Sequence, residues 1–260
     1  MSIHARPQMD AILTRSEIAL FLDLDGTLID IAPTPFVAAP PPGLSALVGG
    51  LTARLDGALA ILSGRSIAGI DHLLFPLRPA AAGANGGEIR DEPGGASRLA
   101  APLLPQNFVE AVSGLSRLDP GVTIEPKGPS IAVHYRQAES EAPELLRRLQ
   151  GLLAGAGLPL EIRPGKKVFE IVNRNVSKGS ALKAFMQRPA FRGRRPLMIG
   201  DDAVDVEAFV AAESIGGAGL RVAGEYFDEA EADFKGTAVV RDWLAALAAE
   251  IEDGKAEGQS

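Results

Sequence analysis

The feature that most narrows the possible folds is a set of short apolar runs that stop abruptly at aspartate, serine or glycine. They are IALFLDLDG from Ile18, ALAILSGRS from Ala58, PAAAGANGG from Pro79 and PLMIGDD from Pro196. None alternates apolar with polar residues. A strand of that texture is covered on both faces, as in a parallel sheet flanked by helices, and helix-like stretches separate the first pair and precede the last. The expected class is α/β, with a Rossmann-like parallel sheet. Ligands in such sheets bind beyond the carboxyl ends of the strands, where Asp23, Ser63, Gly83 and Asp201 fall.

Between about residues 106 and 175 the texture changes. VTIEPKGPSIAVHYRQ and LEIRPGKKVFEIVN alternate as half-buried strands do, and APELLRRLQGLLAGAG between them has helical periodicity. Pro102, Pro105 and the polar NRNVS segment bound this stretch. Residues 1–105 and 176–260 are therefore expected to carry the parallel sheet, with 106–175 an inserted α+β unit holding its own small core. SKGSALKAFMQ reads as a helix with Ser177 as N-cap, RDWLAALAAEI as a final packing helix, and EDGKAEGQS as an unstructured tail.

Composition removes several function classes. With no cysteine, disulfides, thiolate metal sites and cysteine nucleophiles are all excluded, so a metal would need oxygen ligands or the three histidines, and oxygen is expected. The net charge of −7 argues against a general affinity for nucleic acid or anionic lipid. No apolar run approaches a bilayer span of about 18 residues, and Arg6, Asp10, Arg15 and Glu17 interrupt the N-terminal region. The expectation is a cytoplasmic protein without a membrane or nucleic-acid partner.

Acid at the strand ends then demands a reason. Asp23 and Asp25 stand two apart and would share one face of a continuing strand, where two carboxylates repel unless a cation or proton lies between them. Gly26 frees the backbone to turn and Thr27 offers a hydroxyl; a solvated Asp-Gly turn is the plain alternative. IGDDAVDVEAF repeats the pattern, with Asp201, Asp202 and Asp205 leading into a helix whose Phe209 and Val210 are expected to pack inward. Two acidic strand ends at one sheet edge would suit a hard dication such as Mg²⁺, although Asp205 and Glu207 could equally serve the helix dipole. Ser63 with Gly64, and Lys178 at a helix start, could cradle a phosphate.

In this order the motifs Asp23-Leu24-Asp25-Gly26-Thr27, Ser63, Lys178 and Gly200-Asp201-Asp202 with Asp205 resemble the haloacid dehalogenase superfamily of phosphohydrolases, over residues 18 to about 215. The resemblance implies that Asp23 is the nucleophile that becomes an aspartyl phosphate and Asp25 the proton carrier. It implies Mg²⁺ on Asp23, the Asp25 carbonyl and Asp201, with Asp202 or Asp205 ordering ligands or waters, and Ser63 and Lys178 on the phosphoryl oxygens. It makes the insert a substrate-reading cap on a haloacid dehalogenase core.

A narrower likeness rests on LSGR, EPKGPSIAVHYRQ, GKKVFEI and SKGSALKAFM, which are similar to the trehalose-6-phosphate phosphatases. That likeness puts Glu125, Lys127 and Glu170 on sugar hydroxyls, with His134 and Arg136 nearby and Gly64, Arg65, Asn85 and Gly86 on the substrate's side. Lys127 could instead be a solvated turn residue, His134 could orient a neighbour, and Arg136 could be an ion-pair partner within the insert. The sequence departs from the subfamily pattern at Asn85, which replaces a histidine, and at Val172, Asn173, Val204 and Val206. The implied partner is a small-molecule sugar phosphate, trehalose 6-phosphate first. Sucrose phosphate or a glycosyl-phosphoglycerate is the alternative substrate, a mutase or a non-catalytic sugar-phosphate sensor the alternative role. Association with a trehalose-phosphate synthase is a further partner raised by the likeness. Asp30 matches no catalytic position and is read as solvated or at the entrance.

Overall fold

The computed structural model describes residues 18–32 and 37–257, with side chains through Ile251. The N-terminal charges at Arg6, Asp10, Arg15 and Glu17 lie outside the described residues. The four apolar runs form strands: β1 (Ile18–Leu22), β2 (Leu59–Leu62), β3 (Ala80–Gly83) and β10 (Arg195–Gly200). With β4 (Glu88–Arg90), β5 (Ser97–Leu99) and β11 (Ala218–Arg221) they make a seven-stranded sheet of order β11-β10-β1-β2-β3-β4-β5. From β11 to β3 every pairing is parallel, whereas β4 and β5 continue the sheet antiparallel. The reason is chain length: only residues 84–87 join β3 to β4, and a parallel return needs about a dozen or more residues.

The order in which strands are added reverses at β1. The path runs from β1 outward through β2 and β3, while β10 and β11 lie on its other side. Helix α1 (Leu44–Arg54) links β1 to β2 and α2 (Ile67–Leu73) links β2 to β3; after the insertion α5 (Lys178–Phe185) precedes β10, and α6 (Val206–Glu213) links β10 to β11. Right-handed crossovers in opposite senses put α1 and α6 on opposite faces of the sheet. The final helix α7 (Thr237–Glu257) packs against α1, and α6 against α5. Every residue of β1 is buried, which is why this strand carries no polar alternation. Fully burying an Ile, Leu or Phe there stabilises the fold by about 1.5–3 kcal/mol each.

The alternating segments build a second sheet. Strands β6 (Thr123–Pro126), β7 (Ile131–His134), β8 (Leu160–Gly165) and β9 (Val168–Asn173) pair antiparallel in the order β6-β7-β9-β8. Its inner face sends Ile131, Val133, Phe169 and Ile171 into a separate apolar cluster with Phe108 and Val112 of α3 (Gln106–Ser113) and Leu145 and Leu149 of α4 (Ala142–Ala156). Period two then turns Ala132, His134 and Glu170 to the opposite face.

Two local expectations fail. On α6 the buried positions are Ala208, Phe209, Ala211 and Ala212, so Val210 points outward at 60% exposure: the helix buries one stripe, and Val210 is off it. The tail read as unstructured instead continues α7 through Glu257, because a helix satisfies its own backbone groups even where the sequence is polar.

Candidate active site

β1 and β10 are neighbours, with Leu22 opposite Ile199 and the Asp23 amide donating to the Ile199 carbonyl at 2.9 Å. Each strand stops one residue before acid. The chain beyond β1 turns at once: the Leu24 carbonyl accepts from the amides of Thr27, Leu28 and Ile29, and Gly26 sits at φ +82°. A Cβ at Gly26 would strike the Asp201 carboxylate and the Lys166 ammonium, so the turn passes too close to the second acidic segment for any side chain.

The carboxylates divide by what they touch. Asp23, Asp201 and Asp205 are buried, and one carboxylate oxygen from each lies within 4.8 Å of the others. Lys178, the first residue of α5, is 2% exposed and its ammonium donates to Asp23 Oδ1 at 2.6 Å and Asp205 Oδ1 at 2.7 Å. Ser177 fixes that start as an N-cap whose side chain accepts from the Ser180 amide, in a reciprocal box with the Ser180 hydroxyl. Asp205 Oδ2 accepts from the amides of Asp201 and Asp202, both at 3.0 Å. Its oxygens are thus committed to Lys178 and to shaping the loop after β10. Asp201 Oδ1 accepts from the Thr27 hydroxyl at 3.2 Å, while Oδ2 meets the Lys166 ammonium. Asp202 turns to the loop, accepting from the Ala203 amide at 2.6 Å. An all-oxygen set of clustered carboxylates is chemically suited to a hard dication.

Burial pushes Asp23 up to about 7, against the pull of Lys178. Burial alone would lower Lys178, but the Asp205 and Asp23 carboxylates outweigh it and hold the ammonium well above its ordinary value. A fixed positive charge therefore stands against the Asp23 carboxyl, and a second cation at the cluster would favour its ionised form further.

Asp25 lies on the cavity side, and Arg65 grips both its oxygens, from Nε at 2.6 Å and Nη2 at 2.7 Å. Ser63 is buried at the end of β2; its hydroxyl accepts from the Arg65 amide at 3.2 Å. Asn85 is 1% exposed, holds φ at +53°, and neither atom of its amide head has a protein partner. That left-handed backbone, which asparagine tolerates, places the unpartnered amide on the cavity wall beside Gly64.

The second sheet forms the opposite wall of the same cavity, which is open to solvent. Glu125, Ala132 and Glu170 pair across one row of β6, β7 and β9, so the small alanine separates two acids on one face. Lys127 bridges them, donating to Glu170 Oε1 at 2.9 Å with Glu125 Oε2 at 3.7 Å. Burial would lower Lys127, yet Glu170 and Glu125 raise it. His134 is within 3.0 Å of Glu125 Oε2; burial opposes ionisation of Glu125, but the His134 contact and the Lys127 charge hold its carboxyl below the usual range. Lys127 is thus buried rather than a solvated turn residue, and His134 orients its neighbour.

Asp23, Asp25, Ser63, Gly64, Arg65, Asn85, Glu125, Lys127, His134, Arg136, Glu170, Lys178 and Asp202 all line this cavity. Asp201 and Asp205 lie just beneath its floor. Gly86, at φ +97°, packs on Ser177, where a Cβ would meet the carbonyl at 2.6 Å, and so seats the N-cap of α5. Arg136 has an ion-pair partner, but outside the insert: it donates to both oxygens of Glu225, beyond β11, at 2.6 and 3.1 Å. Asp30 is exposed and accepts from the Thr237 hydroxyl at the start of α7. Lys166 and Glu225 were missed by sequence reasoning; for Lys166 the signal was present in the Gly165-Lys166 step of GKKVFEI, while nothing local marks Glu225.

Sheet order, insertion and acidic strand ends together define an α/β protein of the haloacid dehalogenase fold. A trehalose-phosphatase family model matches residues 21–224, and the chain belongs to that family, whose members are phosphatases. It is 37% identical over 231 residues to a probable trehalose-phosphate phosphatase of Sinorhizobium fredii, covering 88% of this chain and 87% of that one. It is 32% identical over 246 residues to the trehalose-6-phosphate phosphatase of Escherichia coli, covering 94% and 92% respectively. Among solved structures, the C-terminal domain of Candida albicans trehalose-6-phosphate phosphatase superposes with a TM-score of 0.76 at 21% identity, covering 92% of this chain and 97% of that one. Among the described residues no helix is long and apolar enough to cross a membrane.

Proposed function

We propose that the chain hydrolyses trehalose 6-phosphate to trehalose and phosphate, with residues 1–105 and 176–260 as catalytic core and 106–175 as substrate-reading cap. One observation carries this reading: a single cavity has the buried Asp23 carboxyl beside the Lys178 ammonium on one wall and the Glu125, Lys127, Glu170 cluster on the other. A phosphate ester enters the first and its sugar hydroxyls meet the second. The carboxylates and ammonium of the cap offer acceptors and donors in fixed geometry, which suits a disaccharide.

Asp23 attacks phosphorus as the bond to the sugar oxygen breaks, and Asp25 in its acid form gives that oxygen a proton. Water then attacks the aspartyl phosphate while Asp25 takes a proton back, releasing phosphate and regenerating Asp23. The sugar oxygen must take over one contact that Arg65 makes with Asp25. Lys178, Ser63 and the amides near Gly64 offset charge on the phosphoryl oxygens, and Asp205 holds Lys178 in place. Asp23, the Asp25 carbonyl and Asp201 would hold Mg²⁺, with Asp202 and Asp205 ordering the surroundings; when bound the ion neutralises phosphoryl charge and favours ionised Asp23.

The test is phosphate release from a panel of trehalose 6-phosphate, sucrose 6-phosphate and glucosyl-3-phosphoglycerate, with Mg²⁺ and with chelator. Trehalose 6-phosphate is expected to be preferred, chelation to abolish turnover, and Asp23→Asn to lose at least about 10³-fold in kcat. Preference for another sugar would overturn the substrate, and undiminished turnover in Asp23→Asn the nucleophile.

A further inference from the structure

Lys166 comes from the second sheet, yet it touches Asp201, a buried acid at the end of β10 in the first. It lies in the turn between β8 and β9, its side chain is 10% exposed, and its ammonium meets Asp201 Oδ2. The Gly26 turn converges on the same spot, since a Cβ there would strike both groups, and one built at Gly224 would have Lys166 Nζ at 3.5 Å and Asp201 Oδ2 at 3.8 Å. Asp201 Oδ1 is engaged by Thr27, and both oxygens of Asp205 accept hydrogen bonds. Asp201 Oδ2 is therefore the oxygen of this pair that accepts no hydrogen bond from Thr27, Lys178 or the loop amides, and the Lys166 ammonium meets it.

The turn is seated on the core from both sides. Arg136 donates to the Lys166 carbonyl at 3.1 Å while gripping Glu225, and a Cβ at Gly165 would lie 3.3 Å from Asp202 Oδ2. Earlier on β8, Arg163 stands 3.8 Å from Glu207 of α6. Lys166 thus reaches Asp201 because the second sheet is docked, and withdrawing it would loosen one of the contacts that keep the sheet docked.

We propose that Lys166 and the divalent cation compete for Asp201 Oδ2, so that seating of the β8–β9 turn and cation binding oppose one another. The inference rests on the metal reading given under Proposed function. Linkage makes the effect reciprocal: if the docked ammonium weakens cation binding by some factor, the cation weakens docking of the turn by the same factor. Lys166 then acts as an internal counter-cation that keeps Asp201 neutralised whenever the dication is away.

The test uses the full chain without substrate. Mn²⁺ is titrated calorimetrically into wild type and Lys166→Met, and backbone amide exchange across residues 163–168 is followed with and without saturating Mn²⁺. Lys166→Met is expected to bind Mn²⁺ about tenfold more tightly, within the usual range of coupling. In wild type Mn²⁺ is expected to speed exchange in the turn, and in the variant exchange is already fast and Mn²⁺ leaves it unchanged. Equal or weaker Mn²⁺ binding by a folded variant, or a wild-type turn indifferent to Mn²⁺, would overturn competition alone. Absence of Mn²⁺ binding in both proteins would reject the metal reading and this inference with it. Should Lys166→Met not fold, the wild-type exchange response decides by itself.

Discussion

Replacing Lys127 by methionine separates what the second sheet needs for stability from what it needs for the sugar. The ammonium is 2.9 Å from Glu170 Oε1, with side chains only 5% and 8% exposed, and Glu170 Oε2 already lacks a protein partner. Methionine keeps the stem's packing but strands a buried carboxylate, at a cost of about 3–5 kcal/mol, or roughly 6–20 °C in Tm. Adding Glu170→Gln removes the stranded charge, and most of the stability should return, since a buried pair replaced on both sides is near neutral. Sugar recognition should not return. Two hydrogen bonds from charged groups are lost, about 1.5–3 kcal/mol each, so kcat/KM for trehalose 6-phosphate should fall roughly 10²- to 10⁴-fold. Turnover of p-nitrophenyl phosphate, whose leaving group is too short to span the cavity, should change by no more than about threefold. The assay is phosphate or nitrophenol release by wild type and both variants with Tm measured in parallel. Recovery of both stability and trehalose 6-phosphate turnover in the double variant would show the pair to be structural, and an equal loss on the aryl ester would place its effect in the core.

Two more outcomes follow from buried charge. Asp205→Asn can still accept from the Asp201 and Asp202 amides but sets an amide donor against Lys178; kcat is expected to drop about 10²- to 10³-fold and Mn²⁺ affinity about 10- to 100-fold, and unchanged kcat would refute the positioning of Lys178 by Asp205. Arg90, fully buried, donates to Asp71 at 2.5 and 2.8 Å and to the Pro79 carbonyl at 2.7 Å, so Arg90→Met should cost about 2–4 kcal/mol at pH 7. Burial would raise Asp71, but Arg90 outweighs it and depresses the carboxyl, so this stabilisation is present above the unfolded-state value of about 4 and is lost as pH falls through the folded one. Urea unfolding should therefore show the gap between wild type and Arg90→Met narrowing from pH 7 to pH 3, and a constant gap would refute the linkage.

Much of the site was legible in the chain because its parts are local. Asp23 and Asp201 follow buried strands within one residue, Ser177 caps its helix through Ser180 three residues on, and alternation in β6, β7 and β9 puts Glu125 and Glu170 on one face. Such features depend on backbone period and on hydrogen bonds between near neighbours, which a short window of sequence contains. The antiparallel continuation at β4 was also open to reading, from the brevity of residues 84–87, but the apolar texture of β3 drew attention only to the parallel part.

By itself, then, the sequence determined a parallel α/β core with acid at two strand ends and an alternating insert. Tertiary structure alone decided that Arg136 reaches Glu225, 89 residues away, that Val210 faces outward, that Gly86 packs against the Ser177 N-cap, and that Lys166 lies on Asp201. The physical reason is that these outcomes depend on where one packed body docks against another. Side-chain periodicity sets the face a residue occupies, but which opposing charge that face meets depends on the summed packing of both sheets.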